Sequence, residues 1–439
     1  MPEGFLPSFL GAIQACLSIL LVIFYGVLAT QFKLLDGPSA KKISKVCVRM
    51  FLPALLITKV GSELHADTGT RYIPILKLIA HLLVWAIFYN LVSIGFGLLA
   101  VKFLKFPAWI TPAMAFNNTT SLPLLLIESL SSTGILDKLL LKDDDASSAV
   151  SRAQSYFLVC AIVSNCLTFA VGPRLVDAEN APDKEEDDKQ EDGEEQQDQD
   201  QDQDSHSDVE QGHDELTSLL PHRIHTGRQA AQKRAFHIGK KHWDKLSPRT
   251  QEVLLFAGDF LNAPLIGAVI GAIIGLVPPL HRVFFNESMD GGIFNAWLTE
   301  SLKKIGQLFV TLQVVVVGVS LSSSLRKMKR GEQKALPWAP TLLILVVRLV
   351  LWPVLSIAII WGLCTKTNVL SQDPILWFAM MIMPAGPPAM KLVAMADVSG
   401  ADEDDKMTIS KILTLSYAAS PIMALTVVGA LYASQNAMA

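Results

Sequence analysis

Phe116-Asn117-Asn118-Thr119-Thr120-Ser121-Leu122-Pro123-Leu124 interrupts an apolar run that extends from about residue 107 to 130. Asn117, Asn118, Thr119, Thr120 and Ser121 cannot face lipid, because an unsatisfied donor or acceptor in hydrocarbon costs several kcal/mol. They must face protein, water or a ligand. Pro123 has no amide hydrogen and disfavours helix at Leu122, so the backbone is expected to open between Asn117 and Pro123 and leave two half-helices. A second apolar run, near 374 to 396, is broken in the same way by Pro384-Ala385-Gly386-Pro387-Pro388. Two broken helices crossing at the membrane midplane would gather half-helix N-termini, free amides and Asn side chains around one cavity. Such a cavity favours an anion or a polar head. The competing reading is that Asn117 to Ser121 only join helices together, as polar side chains do in membrane bundles.

The rest of the chain supplies the membrane context. Its hydrophobic fraction of 51% and mean hydropathy of +0.37 exceed what a soluble chain of this length usually carries. A window of about 20 residues, enough to cross roughly 30 Å of hydrocarbon, places spans near 9–32, 44–61, 72–101, 107–130 and 151–173. Five more follow near 252–278, 296–323, 338–363, 374–396 and 407–433. Two halves with an odd number of spans lie in opposite orientations, which is the arithmetic of inverted-topology repeats. The expected fold is therefore an all-α polytopic membrane protein of ten helices in two inverted five-helix repeats, with the broken spans four and nine crossing. Residues 1–175 form the first repeat, 176–249 a charged linker and 250–439 the second repeat. Pro53, Pro353 and Pro421 read as ordinary helix kinks.

Short-loop cations collect at Lys33, Lys41, Lys42, Lys45, Lys102, Lys105, Arg326, Lys327, Lys329, Arg330 and Lys334, all on one side of this topology. That side is expected to be cytoplasmic, with both termini opposite and the linker cytoplasmic. The sequon Asn286-Glu287-Ser288 then falls on the glycosylation-accessible face. The first apolar run has no basic segment before it and is expected to remain as a span rather than a cleaved signal.

Within the linker, Asp177 to Glu215 holds 19 acidic residues against Lys184 and Lys189. It buries too little apolar surface to offset chain entropy, and reads either as a regulatory tail or as a solvated tether. The stretch 223–249 is basic instead, suiting contact with anionic lipid headgroups. The acidic excess of the linker hides a membrane portion that is net basic. The five cysteines lie in apolar segments without metal-site spacing, and no nucleophile–base constellation calls for an enzyme. No metal or cofactor is implied.

Together these stretches resemble the auxin efflux carriers, in particular the PIN-like carriers found in plants and fungi. The resemblance rests on Phe51-Leu52-Pro53-Ala54-Leu55, Phe116 to Leu124, Asn262-Ala263-Pro264, Gly275-Leu276-Val277-Pro278 and Pro387-Pro388-Ala389-Met390. It implies a crossover transport domain moving against a scaffold domain by an elevator mechanism. The implied substrate is a small carboxylic acid, auxin or a relative, bound near Asn118 with Asn117, Thr119, Pro123, Pro387 and Pro388 around it, while Leu52 and Leu55 contact its ring. The implied location is the endoplasmic reticulum, with the plasma membrane as alternative. The implied partners are the organic anion and membrane lipids, with room for a homodimer and no nucleic acid.

Lys391 departs from the plant pattern, which has a neutral residue there. A lysine inside a span needs a partner or water. It reads either as a fixed charge that replaces a coupling cation or attracts the carboxylate, or as a lysine paired with an acidic neighbour or reaching toward Asp397. Lys77 and His81 share one helix face in span three, and a titrating His81 would couple protons to transport, although a lone membrane histidine is more often structural. Gln307 and Gln313 are weaker candidates for lining the cavity. A non-transporting membrane scaffold or sensor that signals through the acidic linker is the alternative function.

Overall fold

The computed structural model describes residues 5–63, 72–141, 144–177, 263–329, 336–398 and 403–438, and every regular element among them is helical. The linker beyond Asp177, the basic stretch 223–249 and the start of span six lie outside the described residues, as does the side chain of Asp397.

The first half runs α1 (Phe5–Gln31), α2 (Gly37–Val46), α3 (Leu52–Glu63), α4 (Tyr72–Leu104), α5 (Ile110–Ala115), α6 (Ser121–Ser132) and α7 (Ala146–Asp177). The second runs α8 (Ala263–Leu276), α9 (Pro278–Phe285), α10 (Glu300–Lys329), α11 (Trp338–Val346), α12 (Trp352–Lys366), α13 (Pro374–Ile382), α14 (Lys391–Val398), α15 (Glu403–Ala418) and α16 (Met423–Met438). By length and composition five of the described segments can cross a membrane, 5–31, 77–104, 146–172, 295–323 and 338–366, or up to seven if each of two bent pairs counts as one span. The bent pairs are α8 with α9, turned by 102°, and α15 with α16, turned by 42°. The outward faces agree with a lipid environment: Leu17, Leu21, Phe24, Val84, Phe88, Leu91 and Val354 are all exposed.

The three prolines expected to kink helices each sit beside a local change of helix type. Pro53 and Pro353 each follow a π turn, Cys47–Phe51 and Val347–Leu351, in which the amides of Leu52 and Trp352 reach back to the carbonyls of Cys47 and Val347. A local shift to i→i−5 bonding absorbs the register break that a missing proline amide imposes. Pro421 sits in the 3₁₀ turn Ser420–Ile422, at the bend between α15 and α16.

Packing is organised by two close helix pairs, α1 with α10 and α3 with α8. At the first, a Cβ on Gly26 would lie 2.1 Å from the Val315 carbonyl oxygen, and one on Gly318 would lie 1.9 Å from that of Ile23. Only glycine lets the two backbones touch there, the small-residue contact by which membrane helices associate without a hydrophobic driving force. Arg326 near the end of α10 donates to the Thr30 carbonyl near the end of α1 (2.8 Å), so the two C-terminal ends lie together.

Candidate functional site

Both expected breaks are present. The first begins at Phe116, where α5 ends, and helix resumes at Ser121. Leu122 and Pro123 are therefore already helical, so the opening is shorter than the proline alone implied. Pro123 occupies the first turn of α6, where no intrahelical partner awaits its missing amide hydrogen. The second break covers Met383 to Met390, between α13 and α14, with Gly386 at φ +110°, a conformation that disfavours any side chain.

The two breaks cross as a short antiparallel pair centred on Asn117 and Pro388. The Asn118 amide donates to the Pro387 carbonyl (3.0 Å) and the Ala389 amide to the Phe116 carbonyl (2.9 Å). Both bonds flank the Asn117–Pro388 pair, so Pro388 sits where the ladder requires no amide hydrogen. Consecutive prolines are thus compatible with pairing here.

A helix that stops inside a membrane exposes its last carbonyls, and those of α13 are each given a donor. Trp85 Nε1 donates to the Met380 carbonyl (2.9 Å), and Ser356 Oγ to that of Met381 (2.6 Å). The Ala385 amide serves Ile382 (2.9 Å), and Arg348 Nη1 serves Pro384 (3.1 Å). Asn117 Nδ2 bridges Met383 and Ala385, at 2.9 Å each. Asn117 is 2% exposed and its side-chain amide is fully turned onto this helix end, so its first role is to hold the crossing. Its Oδ1, like Nε and Nη2 of the fully buried Arg348, has no partner among the described residues.

Asn118 does different work. Its Oδ1 accepts from the Thr120 and Leu122 amides (3.4 and 3.5 Å) and caps α6, while Nδ2 donates to the Tyr417 hydroxyl of α15 (3.0 Å). On the other strand of the crossing, Lys391 at the start of α14 donates through Nζ to Asn165 Oδ1 of α7. Asn165 is a neutral partner that the sequence did not offer, and the contact with Asp397 that it did offer falls on a side chain outside the described residues.

Asn117, Asn118, Thr119, Thr120, Ser121, Gln313, Val317, Ala389, Met390 and Lys391 line one small cavity of about 20 Å³, wide enough for a single water-sized group. Seven of the residues singled out in the sequence thus meet here, Gln313 among them, with Nε2 donating to Ser44 Oγ (3.3 Å). Pro384, Gly386, Pro387 and Pro388 shape the crossing through the backbone and do not line the cavity. Pro123 is buried in α6 behind it. Lys77 is exposed on α4 and His81 is half-buried there, neither of them lining the cavity. Gln307 is exposed, and Leu52 and Leu55 are buried within the packing of α3, with Leu55 against Gly306 of α10. Sequence reading missed Asn165, Tyr417, Trp85, Ser356 and Arg348. Of these only Arg348, a charge within an apolar span, carried a signal that could have drawn attention.

The chemistry of the cavity is one-sided. The N-termini of α6 and α14 both start at it, Lys391 adds a cationic side chain, and no carboxylate is among the described residues that line it.

The chain is 25% identical to an uncharacterized transporter of Schizosaccharomyces pombe over 92% of its own length and 91% of the relative's. Protein PIN-LIKES 4 of Arabidopsis thaliana is 24% identical over 45% of this chain and 46% of its own length, and PIN-LIKES 3 is 26% identical over 37% and 38%. The profile of the membrane transport protein family matches residues 12–428, and the chain belongs to that family, the auxin efflux carriers.

Proposed function

We propose that this membrane transporter is a secondary carrier of a small organic anion, such as an indole carboxylate or a related weak acid, and that it works by elevator-type alternating access. The observation that carries the reading is the convergence of two half-helix N-termini and Lys391 on a polar cavity with no carboxylate among the described residues that line it. Oriented amides and an ammonium recognise a carboxylate, and Asn118 supplies a further amide at the same place. Lys391 then serves as a fixed positive charge, in place of a coupling cation.

Two inverted five-helix repeats are supported by reciprocal contacts. If span one exchanges with six, two with seven, four with nine and five with ten, the α1–α10 pair maps onto α8–α3. Likewise the Asn118–Tyr417 contact, span four on ten, maps onto Lys391–Asn165, span nine on five. The scaffold in this reading is α1, α2, α3, α8, α9 and α10, with the remaining helices moving against it. A cavity of about 20 Å³ is too small for a carboxylate bearing a ring. Gln313 and Val317 of α10 close it, so relative movement of scaffold and crossover would open it. The endoplasmic reticulum is the favoured membrane, with the linker facing the cytoplasm.

The test is uptake of labelled indole-3-acetate into proteoliposomes, paired with ligand-dependent thermal stabilisation of the purified protein. Wild type is expected to show both, and Asn118→Ala and Lys391→Gln to lose both. If no weak acid shifts wild-type stability and Asn118→Ala changes nothing, the carrier reading fails.

A further inference from the structure

A second cavity lies away from the crossover and is far larger, about 520 Å³. Its walls come from four helices: Lys59 from α3, Lys303 from α10, Glu128 from α6, and Ser147, Ser151 and Gln154 from the first turns of α7. Lys59 Nζ donates to Ser151 Oγ across it (3.1 Å), and Gln154 Nε2 donates to Glu128 Oε1 (2.8 Å). Two lysines against one carboxylate leave the cleft net cationic.

Its position relates it to the crossover. Ser121 and Gln313 line the crossover cavity, whereas Glu128 and Lys303, further along the same two helices, line the cleft. At a rise of about 1.5 Å per residue, the cleft lies roughly 10 Å along α6 and roughly 15 Å along α10 from the crossover. Helices α6 and α10 therefore run side by side from one cavity to the other, in opposite directions. One wall, α3 and α10, belongs to the proposed scaffold, and the other, α6 and α7, to the proposed moving part.

We infer that this cleft is an outer anion site, in which Lys59 and Lys303 capture the carboxylate of the substrate before it reaches the crossover. The inference rests on the organic-anion reading of the crossover. Its volume is in the range that accommodates a small ring with a carboxylate, which the crossover cavity is not. The two lysines of the α3–α10 wall hold the anion at the seam where the walls would part, and the serine hydroxyls of the facing α7 wall complete its hydrogen bonds. A cationic cleft also raises the local concentration of anions at its mouth. An anionic lipid headgroup would present the same chemistry to the same lysines, so the experiment separates the two sources.

The experiment uses the full chain carrying Ser147→Cys, an exposed position at the cleft, reconstituted in phosphatidylcholine vesicles. Modification rates are measured with a negatively and a positively charged methanethiosulfonate, with the protein lacking the new cysteine as background. The expected anion-to-cation rate ratio falls about fivefold on adding Lys303→Gln, the effect of one nearby unit charge at intermediate dielectric. Lys59→Gln lowers it similarly, but Lys303 is exposed and carries the test if the Lys59 variant does not fold. Indole-3-acetate is expected to slow labelling of the parent cysteine protein and not of Lys303→Gln. In transport, Lys303→Gln is expected to raise KM severalfold at unchanged kcat.

An unchanged rate ratio in Lys303→Gln overturns the proposal whether or not the protein transports anything. A lowered ratio and protection by indole-3-acetate, without transport by the wild type, support the anion site and remove the carrier reading instead. Phosphatidylglycerol vesicles that slow labelling while indole-3-acetate does not would assign the cleft to a lipid headgroup and overturn capture of substrate.

Discussion

Asn117 and Asn118 are neighbours with the same side chain, and the structure gives them opposite liabilities. Replacing Asn117 by Ala removes the one nitrogen that serves both the Met383 and Ala385 carbonyls at 2.9 Å. Each orphaned buried acceptor costs about 1–3 kcal/mol, for a total of roughly 2–6 kcal/mol. The adjoining cavity of about 20 Å³ admits one water that can bond one of the two oxygens, which lowers the expected loss to about 1–3 kcal/mol. Asn118→Ala instead removes a cap whose two backbone contacts are long, 3.4 and 3.5 Å, together with bonds to the Ser121 and Tyr417 hydroxyls, groups that can rotate to other partners. Loss of such a cap costs about 0.5–2 kcal/mol, and the long contacts place it at the lower end. The assay is equilibrium unfolding in mixed micelles of rising sodium dodecyl sulfate content, followed by tryptophan fluorescence. Trp85 is buried against the end of α13, where it donates to the Met380 carbonyl, and reports on that end directly. Asn117→Ala is expected to unfold at clearly lower detergent fraction, while Asn118→Ala stays near wild type yet loses stabilisation by organic anion. Equal midpoints for Asn117→Ala and wild type, or a larger loss in Asn118→Ala, would refute the assignment of Asn117 as the clamp on α13.

Trp85→Phe keeps the ring packing of α4 and deletes only the donor to Met380, so a loss of about 1–3 kcal/mol is expected in the same unfolding assay. Gly318→Ala drives a Cβ to 1.9 Å from the Ile23 carbonyl; backbone cannot yield cheaply, so a loss at or above about 3 kcal/mol should be measured. Asp144, just before α7, is held by Arg152 (Nη1 to Oδ1, 2.8 Å), and this hydrogen bond keeps its carboxyl below the ordinary carboxylate range. Because the folded-state value is depressed, the pair stabilises the protein above the unfolded pKa of about 4 and ceases to as pH falls through the folded value. Asp144→Asn should therefore flatten the stability profile on the acid side, as scanned by thermal melts between about pH 3 and 6.

The break in span four was legible because polarity and a proline coincide in an apolar run, and a membrane leaves such residues few choices. The paired break was legible for the same reason, since Pro384 to Pro388 cannot continue a helix. Less visible was how the break is stabilised. Trp85, Ser356 and Arg348 come from helices distant in sequence, and a tryptophan or serine in an apolar span is too common to stand out. The extent of the first opening was overdrawn, because a proline in the first turn of a helix is tolerated, and Pro123 proved to be inside α6. Lys391 was singled out by its charge, but its partner Asn165 lies 226 positions away and neutral residues give no charge pattern to match. His81 and Lys77 were grouped by helical spacing alone, which fixes a face of α4 but not what that face meets.

The crossing of the two broken helices is made from main-chain atoms: Asn118 to Pro387, and Ala389 to Phe116. Main-chain bonds are indifferent to most side-chain exchanges, provided the chain can still adopt the required turns. A geometry held in this way can outlast extensive sequence drift, which accords with a relative only 25% identical being alignable over nearly its whole length. Side chains facing the cavity are then free to diverge without dismantling it.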